Sequence, residues 1–191
     1  NDILDVSKLE AGKLELEEEL VDVAAIARNL LHFVADRAGA LDVTIDTEID
    51  GALPRLRADQ RKLKQILLNL VTNALKFSHP GGRVMLRARV AEGAVVIEVI
   101  DNGIGMDDAE IATAITRFGQ VASTWNRKHA GTGLGLPLAI GLVELHGGTL
   151  GIKSRKGEGT TVTVTFPAMR SAPLEAARAA ERHASDPATA P

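Results

Sequence analysis

Hydrophobic residues recur at the spacing of an amphipathic helix from about Asp59 to Phe77, and this helix anchors the interpretation of the whole chain. Its apolar face consists of Ile66, Leu67, Leu70, Val71, Ala74 and Leu75. Asn69, Asn73 and Lys76 follow one another at i, i+4 and i+7 and share a single polar stripe. Carboxamide oxygens are hard ligands suited to Mg²⁺, and lysine suits phosphate. From this helix alone, asparagines that only satisfy local hydrogen bonds explain the stripe equally well.

Elsewhere the pattern predicts four further helices and several short strands. The helices are predicted at 1–11, 21–38, 107–116 and 134–146. Alternating or continuous apolar runs predict strands at 41–49, 83–90, 95–100, 149–154 and 160–166, with a very short strand beginning at Leu56. The segment 14–19 has the pattern of an extended connector, and 117–130 has no clear period and is expected to form a mobile loop.

Composition narrows the class of protein. The 191 residues are 45% hydrophobic but only 3% aromatic, so the core must be built from Leu, Ile, Val and Ala. A net charge of −3 gives no reason to expect nucleic acid or an anionic membrane as a partner. The absence of cysteine excludes disulfides, thiol catalysis and cysteine-based metal sites. No apolar run approaches the roughly 18 residues of a membrane span. Because the chain opens with Asn inside a helical pattern, we expect it to be a fragment of a longer protein.

Three glycine-rich segments lie at the ends of predicted elements: DNGIGM at 101–106, GTGLGL at 131–136 and GEGTT at 157–161. A carboxylate beside a sharp glycine turn, such as Asp101, can accept a hydrogen bond from an exocyclic amino group like that of adenine. Glycines that open a helix expose backbone N–H groups that suit a phosphate chain. The second segment matches neither the Walker loop nor the GxGxxG of dinucleotide folds. Taken singly, each segment is also explained by an ordinary turn.

Five motifs occur in a fixed order: NLxxNAxKF, DNGIGM, RFGQV, GTGLGLPL and GEGTTVTVTFP. Together they resemble the catalytic ATP-binding domain of bacterial sensor histidine kinases, which has the Bergerat-type fold shared with gyrase, MutL and the heat-shock ATPase chaperone. The resemblance covers about 21–167. The opening segment, NDILDVSKLEAGKLELE, resembles the end of the second helix of the dimerisation and phosphoacceptor domain, which favours a histidine kinase over the other ATPases.

The resemblance implies a fold and a domain organisation. The fold is an α/β (α+β) two-layer sandwich, in which a mixed, mostly antiparallel sheet of about five strands is covered on one face by about three helices. Residues 1–16 would be the end of the dimerisation helix with its connector, and 17–168 the ATP-binding catalytic domain. Residues 169–191, rich in Ala and Pro, are expected to form a disordered tail.

The resemblance also implies roles for the polar stripe. Asn73 would coordinate Mg²⁺ through its side-chain oxygen, and Asn69 would support the metal or its waters. Lys76 would neutralise phosphate oxygens, so these three residues would form the catalytic set. Phe77 would pack near the sugar or the base.

The same resemblance assigns the remaining ATP contacts. Asp101 would bind the adenine amino group, with Thr160 holding that contact through its hydroxyl or a water. Further ATP-binding positions are Gly103, Gly105 and Met106 beside the base, Phe118 and Gln120 in the lid, and Gly131, Thr132, Gly133, Leu134, Gly135 and Leu136 around the triphosphate.

The implied reaction transfers the γ-phosphoryl group of ATP to a histidine, from which it would pass to an aspartate of a response regulator. The five histidines are His32, His79, His129, His146 and His183, and none has the acidic, Arg and Pro context of the family's acceptor. We therefore expect the acceptor to lie upstream of this sequence. The parent would form a homodimer through its dimerisation domain, bind no nucleic acid, and place this domain in the cytoplasm, whether it is soluble or attached to the inner membrane.

Two alternatives stay open at the level of sequence. One is a degenerate kinase domain that binds ATP or docks a partner without catalysis. The other is a hydrolytic ATPase of the gyrase or MutL kind, in which the position matching Asn69 is a glutamate that activates water. An asparagine cannot act as such a base, so Asn69 favours phosphoryl transfer.

Overall fold

The computed structural model of the protein describes residues 2–119 and 132–172. The helices are α1 Asp2–Glu10, α2 Val23–Ala40, α3 Gln60–Phe77, α4 Asp108–Ala114 and α5 Gly135–Leu145. The strands are β1 Glu18–Val21, β2 Val43–Ile49, β3 Arg55–Asp59, β4 Gly82–Ala91, β5 Ala94–Asp101, β6 Thr149–Arg155, β7 Gly159–Phe166 and β8 Ser171–Ala172.

The main sheet has five strands in the order β2-β4-β5-β7-β6. Only β2 and β4 pair in parallel, and the other three pairs are antiparallel. The predicted mixed, mostly antiparallel sheet is therefore confirmed. Parallel neighbours need a crossover connection, and here that connection contains α3, the helix with the polar stripe.

The two faces of the sheet differ in polarity, as the alternating pattern predicts. On β4, Val84 and Leu86 are fully buried under the helices. The alternate residues face outward, where Arg83 pairs with Asp46 of β2 at 3.0 Å. Three helices, α2, α3 and α5, pack against the apolar face. The molecule is thus a two-layer sandwich with one solvated face.

Local capping fixes where α3 begins. The carboxylate of Asp59 accepts hydrogen bonds from the backbone N–H groups of Arg61 and Lys62, so Asp59 is the N-cap residue. Asp59 lies at the end of β3, so the chain passes from strand to helix without a loop. This junction sets the rotation of α3 and therefore the direction in which its polar stripe faces.

A second, three-stranded sheet of order β1-β3-β8 departs from the sequence prediction. Its strand β1 was predicted as part of a connector and the start of a helix, because four residues with two glutamates carry little strand signal. Residues 169–172 were predicted to begin a disordered tail. Instead, Ala168–Arg170 forms a 3-10 turn and β8 pairs with β3. Residues 173–191 lie outside the described part.

Helix α1 docks on the helical layer. Leu9 packs against Gly141 of α5, where an added Cβ would come within 2.5 Å of the leucine side chain. On α3, Lys62 and Gln65 both donate to the carboxylate of Asp5, at 3.3 and 2.9 Å. No helix within residues 2–119 and 132–172 is both long and apolar enough to cross a membrane.

Candidate functional site

Three adjacent strands place three polar residues in one row across the main sheet. Asp101 of β5 is paired with Thr160 of β7, and Thr160 is paired with Ser154 of β6. Directly paired residues point to the same face of a sheet. The Oδ1 atom of Asp101 accepts the backbone N–H groups of Thr160, at 3.2 Å, and of Gly103, at 2.9 Å. These two bonds fix the carboxylate at the end of its strand.

The glycine loop after Asp101 contacts the end of α3 directly. The backbone N–H of Ile104 donates to the carbonyl oxygen of Phe77 at 3.0 Å. A Cβ on Gly103 would lie 2.1 Å from that same oxygen, which no side chain allows. Gly103 is therefore needed for close approach. The loop joins Asp101 to the helix that carries Asn73 and Lys76.

Gly105 is needed for a second close approach. Its φ of +61° lies in the left-handed region, and a Cβ would fall 1.9 Å from the carbonyl oxygen of Arg155. One residue further on, the backbone N–H of Met106 donates to Ser154 Oγ at 2.8 Å. The DNGIGM segment is thus held between α3 on one side and the β6–β7 turn on the other.

The polar stripe of α3 is half-buried, and its two asparagines differ in their partners. Asn69 donates from Nδ2 to the carbonyl oxygen of Gly135 at 3.2 Å, so it ties α3 to the start of α5. The side chain of Asn73 makes no hydrogen bond within the described residues. Among the described residues, nothing therefore prevents its amide oxygen from accepting a ligand.

Lys76 lies at the end of the same stripe. Its Nζ atom stands 4.8 Å from the centre of the Phe77 ring, within the range of a cation–π contact. Burial lowers the pKa of Lys76, and the nearby positive charge of Arg37 lowers it further. A polyanion bound beside Lys76 would act in the opposite direction and favour the charged form.

The pKa of Asp101 is shifted in the opposite direction to that of Lys76. Burial raises the pKa of Asp101, although the N–H groups of Gly103 and Thr160 act to lower it. Burial thus disfavours the ionised form of Asp101. A ligand that donates a hydrogen bond to the carboxylate would relieve that cost.

The glycine segment before α5 provides a backbone surface. Gly133 has φ +70°, and its carbonyl oxygen accepts the backbone N–H of Phe118 at 3.2 Å. The hydroxyl of Thr132 accepts the N–H of Leu134 at 3.4 Å. Leu134 itself is buried in the core, so it can face a ligand only through its backbone. The N-cap position of α5 has no side-chain cap, which leaves the start of the helix suited to an anion.

Helix α5 is connected to α3 near both of its ends. Near its start is the Asn69–Gly135 bond, and just beyond its end His146 Nε2 accepts the backbone N–H of Asp59 at 3.1 Å. The Nδ1 atom of His146 bonds to the carbonyl oxygen of Leu142 at 2.7 Å, so the ring is neutral with its proton on Nδ1. Burial lowers the pKa of His146, which favours this neutral form. The two helices therefore run antiparallel.

The structure thus links the predicted site residues through α3. Asp101 reaches the end of this helix through Gly103, and the glycine segment of α5 reaches its middle through Asn69. Phe118 is exposed and lies beside Gly133, at the edge of the described region. Two predicted positions, Gln120 and Gly131, lie outside the described residues. Within the described ranges there is no cluster of three or more acidic or histidine side chains that could hold a metal.

The sequence interpretation missed Ser154. Its hydroxyl contacts Met106, Gly159 and Thr160, three backbone or side-chain partners at the predicted base-binding end. A lone serine in a strand gives no signal by itself. Its position six residues before Thr160, across a tight turn, is the one clue that could have indicated a cross-strand pair.

Comparisons with known proteins agree with this geometry. Residues 58–170 match the family model described as histidine kinase-, DNA gyrase B-, and HSP90-like ATPase. The circadian input-output histidine kinase CikA of Synechococcus elongatus is 39% identical over 169 residues, which cover 87% of this chain and 22% of CikA. The chain therefore spans about a fifth of the length of that relative.

Solved structures of histidine kinases are also similar to this chain. Full-length ShkA in complex with AMPPNP matches with a TM-score of 0.80 and 30% identity, over 91% of this chain and 36% of ShkA. The histidine kinase ThkA, in complex with the response regulator protein TrrA, shares the fold with a TM-score of 0.67 and 20% identity, over 87% of this chain and 47% of that one. The chain belongs to the histidine kinase-, DNA gyrase B- and HSP90-like ATPase family, and within it is an ATP-binding catalytic domain of the sensor histidine kinase type.

Proposed function

We propose that this domain binds Mg-ATP between the start of α5 and the row formed by Asp101, Thr160 and Ser154 (the Asp101 row). We propose further that it transfers the γ-phosphoryl group to a histidine upstream of this sequence. The observation that carries the proposal is the fixed carboxylate of Asp101, joined through Gly103 to the helix with Asn69, Asn73 and Lys76. AMPPNP, an ATP analogue, is bound in the ShkA structure, which supports the same ligand class here.

The base would bind at the sheet end of the site. Both N–H bonds that Asp101 accepts from the described residues go to Oδ1, so Oδ2 would accept the adenine amino group. Gly103, Gly105 and Met106 would line the base, and Thr160 would support the contact. Phe77, at the end of α3, would pack near the sugar or the base.

The triphosphate would lie along α3 and the glycine segment. Lys76 would neutralise phosphate oxygens, and the backbone from Thr132 to Leu136 would wrap the phosphate chain, together with Gly131. Phe118 and Gln120 would belong to the segment over the nucleotide.

The donor set fits Mg²⁺. Asn73 presents a half-buried amide without a hydrogen bond within the described residues, and Mg²⁺ is typically held by one or two protein oxygens together with phosphates and waters. Asn73 would hold the ion, with Asn69 supporting its waters. When bound, the ion would neutralise the charge that develops on the phosphate oxygens.

In the reaction, a ring nitrogen of the upstream histidine would attack the γ-phosphorus with its lone pair. The bond from the γ-phosphorus to the bridging oxygen would break, and ADP would leave with that electron pair. Positioning and charge neutralisation supply most of the catalysis in such transfers. A response regulator would take the phosphoryl group from the histidine, as the solved ThkA–TrrA complex suggests for a chain of this fold.

The histidines within the described residues do not suit the acceptor role. His146 is fully buried, and both of its ring nitrogens are engaged in hydrogen bonds. His32 and His79 lack the acceptor context, and His129 and His183 lie outside the described ranges. We expect no self-labelling when the chain is incubated with γ-labelled ATP. Acid-labile phosphate on any of the five histidines would contradict this expectation.

The direct test of binding is a nucleotide titration with and without Mg²⁺, on the wild type and on Asp101→Asn. The substitution keeps the shape but replaces the acceptor Oδ2 by an amide group, so ATP affinity should fall about 10- to 100-fold. Ser171→Ala is a matched control, since its hydroxyl bonds to Gly93 away from the site. Equal affinity of wild type and Asp101→Asn would refute the proposed site. Steady ATP turnover abolished by Asn69→Ala would instead revive the hydrolytic alternative.

A further inference from the structure

The hydroxyl of Ser154 lies among three polar partners at the end of β6. It accepts the backbone N–H of Met106 at 2.8 Å. It also lies 2.9 Å from the carbonyl oxygen of Gly159 and 2.9 Å from the hydroxyl oxygen of Thr160. Three partners are as many as one serine hydroxyl can satisfy, because it has one proton and two lone pairs.

Only one arrangement of protons satisfies all three contacts. The amide of Met106 can only donate, and the carbonyl of Gly159 can only accept. If Ser154 donated its proton to Thr160, the hydroxyl oxygen of Ser154 and the carbonyl oxygen of Gly159 would lie 2.9 Å apart with no proton between them. The proton of Ser154 therefore goes to Gly159, and the proton of Thr160 goes to Ser154. The oxygen of Thr160 is left with lone pairs alone.

This arrangement determines what the Asp101 row offers to a base. Thr160 and Asp101 are directly paired residues on neighbouring strands, so their side chains share one face. Asp101 contributes a carboxylate oxygen, and Thr160 now contributes an oxygen that can only accept. The row thus presents acceptors and no side-chain proton of its own.

We propose that Ser154 is a positioning residue that sets base specificity by holding the Thr160 hydroxyl as an acceptor. This inference rests on the proposed function, in which Asp101 binds the exocyclic amino group of adenine. That amino group supplies protons to both acceptors. A purine with a carbonyl at the same position would place a third acceptor against them, and a site with unpaired polar groups rejects such a ligand.

The test compares Mg-ATP with Mg-ITP, the inosine analogue, which has the same ribose and triphosphate but a carbonyl in place of the amino group. The readout is the ratio of the two dissociation constants, Kd for ITP over Kd for ATP, on the full chain. In Ser154→Ala the hydroxyl of Thr160 is free to rotate and donate, so this ratio should fall about 10-fold. A residue with only a structural role would change both constants together and leave the ratio unchanged.

Three further variants complete the design. Ser154→Thr retains the hydroxyl and should keep the wild-type ratio, as should Ser171→Ala, whose hydroxyl bonds to Gly93 far from the row. If Ser154→Ala does not fold, Thr160→Val provides the test, because it removes the acceptor and should also lower the ratio.

The outcomes separate the two proposals. A wild-type chain that binds no ATP would refute the proposed function and this inference with it. A wild-type chain that binds ATP and ITP equally would overturn the inference and also the proposed contact of Asp101 with the adenine amino group. The inference alone is overturned if the wild type prefers ATP and Ser154→Ala, or Thr160→Val in its place, keeps the wild-type ratio.

Discussion

The two ends of the site are built in different ways. The base end, formed by Asp101, Gly103, Ser154 and Thr160, is held by paired strands and by hydrogen bonds within the protein. The phosphate end lies on one face of α3 and at the start of α5, where Asn73 has no hydrogen bond within the described residues. The proposed base end is therefore preorganised by the fold, whereas the proposed phosphate end would be completed by its ligand.

The two ends also differ in the sign of the charged group that is partly buried there. Burial raises the pKa of Asp101 at the base end and lowers the pKa of Lys76 at the phosphate end. Each shift works against the charged form, and each is opposed by the ligand group proposed for that end. Changes at the base end should affect folding as well as binding, whereas at the phosphate end a change at Asn73, which has no hydrogen bond within the described residues, should affect binding alone.

The largest effect is expected from Gly105→Ala at the base end. The new Cβ would fall 1.9 Å from the Arg155 carbonyl oxygen, so the backbone must move. We expect a loss of at least about 3 kcal/mol in the free energy of unfolding, measured by urea denaturation. Gly157→Ala is the control, because the φ of Gly157 is also positive but no atom lies within 4 Å of the position that the new Cβ would take. It should cost only about 1–2 kcal/mol. Equal losses in the two variants would contradict the close-approach argument.

The next effect is expected from Asn73→Ala at the phosphate end. Its affinity for ATP in the presence of Mg²⁺ should fall about 10- to 100-fold, and the dependence on Mg²⁺ should largely disappear. The free energy of unfolding should change by less than about 0.5 kcal/mol, because no protein hydrogen bond within the described residues is lost. In contrast, Asn69→Ala removes the bond to Gly135 and should cost about 1 kcal/mol. A large loss of stability in Asn73→Ala would remove the distinction between the two ends.

The pH dependence of ATP affinity should show the two ends separately. Affinity should fall in acid as Asp101 becomes protonated, since Oδ1 already accepts two N–H groups and the proton would go to Oδ2. It should also fall in alkali, as Lys76 loses its proton at a pH below the ordinary pKa of lysine. Asp101→Asn should weaken the acid limb selectively. Lys76→Arg, which stays charged, should weaken the alkaline limb. A wild-type acid limb in Asp101→Asn would show that this carboxylate is not the titrating group.

Stability provides a matching test of the base end. Because the pKa of Asp101 is raised on folding, the folded chain holds this proton more tightly than the unfolded chain. The stability contributed by the protonated carboxyl is therefore lost as the pH rises through the raised pKa. Asp101→Asn lacks this loss, so its stability relative to the wild type should increase across that pH range. Urea denaturation at several pH values would measure the difference, and a constant difference would contradict it.

The smallest effect is expected from Glu158→Gln, in the turn of the GEGTT motif. Glu158 is exposed and pairs only with the exposed Arg155, at 3.2 Å, within the described residues. Such surface pairs contribute about 0–1 kcal/mol. Both ATP affinity and stability should remain near the wild-type values. A large loss of affinity would mean that the base end depends on this side chain and not only on the backbone of its glycines.

The sequence predicted the elements whose pattern is local. The apolar face of α3 and the strands β4 and β5 are predicted directly from neighbouring residues, and the structure confirms them. Strands β1 and β8 were missed. Each has four residues or fewer and exists because it pairs with β3, far away in sequence.

The site shows the same limit. Asp101, Asn73 and the glycine segments were predicted as site residues because they form motifs in a recognisable order. Ser154 was missed because its importance comes from the register between β6 and β7 and from contact with Met106, 48 residues earlier. His146 was noted in the sequence only as a histidine without the acceptor context. Its bond to Asp59, 87 residues away, could not be inferred from local pattern.

The double attachment of α5 has a consequence for where the glycine segment can lie. The helix has 11 residues, or roughly 16 Å, and is fastened by Gly135 at one end and by His146 just beyond the other. The distance between its two attachment points is therefore set by the number of residues in the helix. One inserted residue would rotate the ends against each other by about 100°, so only one of the two attachments could survive. The position of the glycine segment before α5, which is proposed to face the phosphates, is therefore fixed in part by the buried imidazole of His146 at the opposite end of the helix.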